Sequence, residues 1–400
     1  MKRTKLQNGI TLIALIITII ILLILAVVTI GSIKNSNIIT YAQNASTTYN
    51  DEKSKEESAI AGYETLIESK LPGKDNTETI TMSDAQLDNM LTKKVNSTTY
   101  DSYGNKIVVP AGFKILVDET TVYTADNIDV TKGIVIQDAE GNEFVWIPVG
   151  ENIKNENGTA KIKLSRYTFY SPLEAETDVG EKVIDNSYQE VATSSYGNAT
   201  AKNLSGFISS VNTNKGYFIG RYEAGVTGYD LSNITTENSD SETSWTGYIA
   251  AEGEQLKLVS KYGQQVWNYV TQNKASELCR NMYTENSNYT SDLINSYAWD
   301  TALVFIQTFG TETDANNYSR VNKSGSFTST GVNGDKYRNI HDMSGNAYEW
   351  TTETSHYSNS NCINRGGYYD GAEIDRAGAR ANGYTYECDP CCSFRPILYL

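Results

Sequence analysis

No charged residue interrupts the chain between Lys5 and Lys34, and residues 10–30 are Ile, Leu, Val and Ala with three Thr. A helix rising about 1.5 Å per residue makes that run about 31 Å long, the thickness of a bilayer hydrocarbon core. It predicts a transmembrane helix. A secretory signal carries an apolar stretch of roughly 7–15 residues followed by a small-residue cleavage site, and this run is longer than that. Lys2, Arg3 and Lys5 precede the span and the acidic bulk of the chain follows it. The positive-inside rule therefore leaves the short tail in the cytoplasm and the rest outside, anchored in the cell membrane.

The remaining chain is long enough to bury a sizeable core. Lys+Arg 33 against Asp+Glu 48 gives a net charge of -15, which repels phosphate backbones and excludes nucleic acid as a partner. Only two histidines occur, His341 and His356, so mechanisms needing two or three imidazoles, such as most zinc hydrolases, are excluded. The five cysteines, four of them after residue 360, allow two disulfides and one thiol in an oxidising compartment, with the pairing open.

Beyond the span, Ile38, Ala42, Ala45 and Tyr49, then Ala59, Ile60, Tyr63, Leu66 and Ile67, recur at helical spacing until Leu71, Pro72 and Gly73 end the stripe. Residues 31–71 are thus expected to form an amphipathic helix or stalk. Residues 75–130 form a small connecting region, with a short helical stretch from Ser83 and strands at residues 107–109 and 113–117. Two β-branched-rich runs at 133–136 and 144–149, joined by Asp138, Gly141 and Asn142, predict a hairpin. Residues 151–215, rich in Asn, Ser, Thr and Lys, suggest a long loop region with short strands.

At the N-terminal junction Gly9 precedes Ile10, Thr11, Leu12 and Ile13, with basic residues upstream. This resembles the leader of type IV pilins, residues 1–9 here, which a prepilin peptidase cuts after the Gly before methylating the new N-terminus. Most pilins keep a Glu at the fifth mature position, where this chain has Ala14, so the resemblance favours a minor pilin, a pseudopilin or a surface protein using the leader. A plain unprocessed anchor is the alternative.

Further along, the segments FVWIPVG at 144–150, YFIGRYE at 217–223, KASELC at 274–279 and residues 293–302 around Trp299 follow in order. After them come NIHDMSGNAYEWT at 339–351, RGG at 365–367, Arg376 to Arg380, and SFR at 393–395. Together they resemble the landmarks of the formylglycine-generating enzymes, the sulfatase-modifying factors, across residues 131–400. The resemblance implies an irregular, loop-rich C-type-lectin-like domain, which with the N-terminal transmembrane and amphipathic helix before it makes the expected architecture α+β.

Asp342, Gly345, Ala347 and Glu349 fall within one turn and supply two carboxylates and two backbone carbonyls, a hard-oxygen set suited to calcium. In the family the matching positions bind Ca²⁺. Alternatively, Glu349 pairs with a buried Arg such as Arg365 or Arg380 while Gly345 and Asn346 simply make the turn. Trp146, Trp299, Trp350 and Tyr222 read as core aromatics, His341 as a satisfied structural histidine and His356 as solvated.

The family reaction oxidises a substrate cysteine with copper held by two thiols five residues apart. The matching positions here are Gly371 and Arg376, so the resemblance implies an inactive domain and no copper. Cys388, Cys391 and Cys392 flank Pro390, and a disulfide or closely paired thiols there is favoured over a metal site.

Three functions compete. One is a surface binding module contacting an extracellular protein or glycan through Tyr368, Tyr369, Asp370, Asn382, Tyr384 and Tyr386, residue types that make adaptable contacts at low entropic cost. Proteins resembling this fold are also targets of diversity-generating retroelements, with which the composition is compatible. The second is a minor pilin or pseudopilin with pilin-like subunits as partners. The third is a metal-dependent oxidase in which the terminal cysteines replace the lost dithiol.

Overall fold

The computed structural model describes residues 89–117, 127–167, 169, 188–191, 193–194, 197–230, 248–284, 288–310, 325–333, 335–355, 361–370, 377–388 and 390–400. All lie in the compact unit Thr77–Leu400. The expected leader with Gly9 and Ile10, the expected transmembrane run and amphipathic stretch, residues 83–88, His356, Gly371 and Arg376 lie outside the described residues. No helix among the described residues is long and apolar enough to cross a membrane.

The described chain is mostly sheet, with three α-helices and long connections, a mixed and loop-rich architecture. Its central sheet has six antiparallel strands in the order Thr290–Leu293, Pro396–Tyr399, Gly216–Gly220, Glu143–Pro148, Val135–Asp138 and Phe113–Ile115. Five of the six residues of Glu143–Pro148 and every residue of Gly216–Gly220 are buried, because both faces of these strands are covered. Continuous apolar runs of this kind suit strands buried on both sides. Helix Leu204–Asn214 packs on Gly216–Gly220 and helix Ser296–Phe309 packs on Glu143–Pro148.

The hairpin expected at residues 133–149 is present as Val135–Asp138 and Glu143–Pro148. Asp138 closes its turn: its backbone N–H donates to the Asn142 carbonyl at 3.1 Å, and its carboxylate accepts from the Asn142 N–H at 2.7 Å. The strand expected at 113–117 is shorter, Phe113–Ile115, and it is the outer strand of the central sheet. Residues 151–215 contain more regular structure than their composition suggests. Gly150–Asn155 and Gly158–Ile162 pair, and Leu204–Asn214 is a full helix.

That helix is built on Leu204, Phe207, Ile208 and Val211, a stripe at helical spacing, and the Asn203 side chain caps it by accepting from the Gly206 N–H at 2.9 Å. The Phe207 ring meets Tyr217 and Tyr399 edge-on at 5.4 Å each.

A second sheet runs Ala381–Gly383, Cys362–Arg365, Tyr348–Ser355 and Cys392–Phe394, with Tyr188–Gln189 joined to the far end of Tyr348–Ser355. Cys392–Phe394 is its one parallel partner. Strand Pro396–Tyr399 of the central sheet follows almost at once, so the chain crosses between the two sheets at Arg395. The expected core aromatics Trp146, Trp299, Trp350 and Tyr222 are all buried. Trp350 ties the second sheet to the segment before helix Gln272–Asn281 by donating from its indole to the Val270 carbonyl at 2.9 Å.

Candidate functional site

Arg395 is fully buried where the two sheets meet, and its donors face four acceptors. Nε and Nη2 reach the two carboxylate oxygens of Glu349 at 2.9 and 2.5 Å, Nη1 reaches the Gly220 carbonyl at 2.9 Å, and Nη2 also reaches the His341 carbonyl at 2.8 Å. The guanidinium fork matches a carboxylate in this bidentate form. Glu349 therefore pairs with Arg395, not with Arg365 or Arg380. Those two arginines belong to a separate buried network: Arg365 and Arg380 each reach Asp300 at 2.6 Å and also pair with Glu353, which Arg166 approaches from a third side.

Around the Arg395–Glu349 pair lie three more buried carboxylates, Glu223, Asp335 and Asp342. Asp342 accepts from the Gly331 N–H at 2.6 Å, Asp335 accepts from the Ser344 N–H at 3.0 Å, and Glu223 accepts from the Asn346 side chain. Each carboxylate keeps one buried oxygen without a hydrogen-bond partner: Glu223 Oε2, Asp335 Oδ1 and Asp342 Oδ1. Burial, with the Asp342 charge second, pushes Glu223 well above the usual carboxylate range and Asp335 up to about 8. Burial raises Asp342 to about 7, against the pull of the Gly331 N–H and Arg395.

The backbone of the turn is tightly constrained. Asp342 and Asn346 hold φ of 58° and 62°, in the left-handed region that short polar side chains tolerate. The Ala347 N–H donates to the Gly345 carbonyl at 2.9 Å. The four residues expected to form a calcium set are thus one turn, and their oxygens are unequally placed. Asp342 offers a buried oxygen in need of a partner, whereas both oxygens of Glu349 are engaged by Arg395. Among the described residues no three His, Cys, Asp or Glu side chains form a metal-ligand group.

His341 lies in the same turn. Its ring stacks at a tilt on Tyr222, 4.8 Å between centroids, and burial lowers its pKa to about 3, which keeps the imidazole neutral. Its Nδ1 has no partner, so it is less fully satisfied than expected of a structural histidine. None of the five cysteines forms a disulfide. Cys388 and Cys392 are buried, and the Asn364 amide approaches the Cys392 sulfur at 3.7 Å.

The tyrosines expected to bind a ligand form two groups. Tyr368 packs against Tyr348 and Tyr369, centroids 5.1 and 5.4 Å away, and Tyr369 meets Phe327 at 5.3 Å. Tyr368 and Tyr369 are half-buried, with Asp370 exposed beside them. Tyr384 and Tyr386 stack on one another at 5.2 Å and 18°, and both are exposed, at 38% and 53%.

Their loop follows strand Ala381–Gly383, whose Asn382 is exposed. It is closed by Glu387: the Tyr384 N–H donates to Glu387 Oε2 at 2.9 Å and the Glu387 N–H donates to the Tyr384 carbonyl at 3.1 Å. Gly383 lets the loop lie on Trp350, since a Cβ there would sit 2.5 Å from the indole ring.

Arg395, Glu223 and Asp335 join the site without any local spacing that marks them, and Asn346, expected only to make the turn, also holds Glu223. Arg395 and Glu223 each end a short motif, Arg395 directly between two buried strands and Glu223 three residues after the buried strand Gly216–Gly220. A charge set against a buried run is the signal that was available.

No protein-family model matches the chain, and no curated protein matches it. Among solved structures it is similar to one described as "Crystal Structure of CarF", at 13% identity over 46% of this chain and 87% of that chain, with a TM-score of 0.31.

Proposed function

We propose that this chain is a cell-surface binding protein: a domain resembling the formylglycine-generating enzymes, inactive in that reaction, displayed outside the membrane by a pilin-like N-terminal segment. The observation that carries this reading is the Tyr384–Tyr386 stack. Two large rings are exposed side by side on a turn fixed by Glu387 and seated on buried Trp350. Rigid, exposed tyrosines supply contact area at low entropic cost, as in antibody loops.

The resemblance supports the remainder. It implies a C-type-lectin-like fold with long loops, and it sets Gly371 and Arg376 at the positions where the family carries its copper-binding thiols. A glycine has no ligand atom and an arginine repels a metal cation. The ligand is an extracellular protein or glycan, the membrane and a prepilin peptidase are the partners at the other end, and calcium is a structural ion near Asp342.

The test is a glycan and protein array probed with the purified full chain in detergent. Binding to one class of probe that is lost when Tyr369, Tyr384 and Tyr386 are changed to Ala is the expected outcome. Undiminished binding by that triple variant, or aldehyde formation on a sulfatase-type cysteine peptide with copper supplied, sinks the proposal.

A further inference from the structure

At the sheet junction one buried cation, Arg395, serves four buried carboxylates, Glu349, Glu223, Asp335 and Asp342. Arg395 is the cation shared by Glu349, Glu223 and Asp342, and its bidentate contact is spent on Glu349 alone. Glu223 and Asp342 are both fully buried, and each keeps one carboxylate oxygen, Oε2 and Oδ1, without a partner. Their other oxygens are fixed from outside the pair, by the Asn346 side chain and by the Gly331 N–H. Of all the charges around Glu223, that of Asp342 acts on it most strongly. The Asn346 side chain thus ties Glu223 to the turn that carries Asp342, and each of the two carboxylates ends in a buried oxygen without a partner, away from water, where an ionised carboxylate is costly unless something neutralises it.

We propose that Glu223 and Asp342, rather than Asp342 and Glu349, are the carboxylate ligands of a divalent cation, with Ca²⁺ the ion of matching chemistry. Two carboxylates call for a divalent charge, and Ca²⁺ accepts hard oxygens in flexible geometry with water and backbone carbonyls completing its shell. Glu349 stays with Arg395. The site stands independently of the surface function, and it has a structural consequence. Asn346 holds Glu223 with its side chain, accepts the Thr328 N–H at 2.9 Å on the same side chain, and accepts the Tyr369 N–H at 3.0 Å on its carbonyl. A cation at Glu223 and Asp342 therefore fastens the residues that carry Phe327 and Tyr369.

The experiment is Ca²⁺ titration of the chelator-stripped full chain in detergent, by calorimetry and by melting temperature, with Tb³⁺ luminescence sensitised by tyrosine as a direct readout. The wild-type chain is expected to bind one ion and to melt higher with it. Glu223→Gln, which keeps an acceptor for Asn346, is expected to weaken binding at least tenfold. Glu223→Asp, which keeps the charge on a shorter arm, is expected to fall between the two and guards against a merely misfolded variant. Unchanged affinity in both Glu223 variants assigns the ion to other oxygens and overturns the proposal. Absence of Ca²⁺ and Tb³⁺ binding by the wild-type chain overturns it as well, and leaves a shared proton as the neutralising group.

Discussion

Arg395 grips both oxygens of Glu349, at 2.9 and 2.5 Å, with neither side chain exposed to solvent. The pair joins the start of strand Tyr348–Ser355 to the point where the chain leaves the second sheet for the central one. A buried pair of this kind gains little over a well-packed apolar pair, but removing one partner strands a charge. Glu349→Gln or Arg395→Met is expected to cost about 3–5 kcal/mol, read from urea denaturation. The double variant should lose clearly less than the sum of the two single losses. Additive losses in the double-mutant cycle count against a coupled pair.

Glu190 links strand Tyr188–Gln189 to the start of helix Ser296–Phe309. Its carboxyl accepts from the Ser296 N–H at 2.6 Å and from the Thr352 hydroxyl at 2.9 Å, and burial raises its pKa to about 7. The group is protonated in the folded protein where the unfolded chain has already ionised. Its stabilising contribution is therefore full below the ordinary carboxylate pKa and falls as pH rises towards 7, by an amount of the order of 3 kcal/mol. Glu190→Gln should flatten this slope between pH 4.5 and 7 in melting experiments. A slope equal to that of wild type removes Glu190 as its source.

Tyr384 and Tyr386 are exposed, so their rings add little to folding beyond the stack itself. Tyr386→Ala is expected to change stability by less than about 1 kcal/mol, while weakening the ligand found on an array by about 2 kcal/mol or more, roughly thirtyfold. Stability and binding falling in parallel would mean that the loop had collapsed, and the rings would lose their assigned role.

At the other end of the chain, processing after Gly9 is expected to leave Ile10 as the mature, methylated N-terminus, and Gly9→Ala should block it. Mass spectrometry of protein from a host with an active prepilin peptidase decides this. An intact Met1 in the wild-type protein rules out the pilin-like leader.

The hairpin of residues 135–148 could be read directly, because β-branched-rich apolar runs and a Gly–Asn turn are local signals. The burial of Trp146, Trp299 and Trp350 was equally legible, since large aromatic rings have few places to go except the core. Helix Leu204–Asn214 was present in the spacing of Leu204, Phe207, Ile208 and Val211, yet hidden by its Ser, Thr and Asn content, and packing on the central sheet settled it.

The sequence by itself determined the apolar run before residue 31, the acidic charge, and the turn that brings Asp342 near Glu349. It did not determine which charge meets which. Glu349 and Arg395 are 46 residues apart, and Glu223 and Asn346 are 123 apart. Nothing in local spacing ranks Arg395 above Arg365 or Arg380 as the partner of Glu349. Only the tertiary structure decides, because a buried carboxylate must be matched by whichever donor the sheets bring within hydrogen-bond reach.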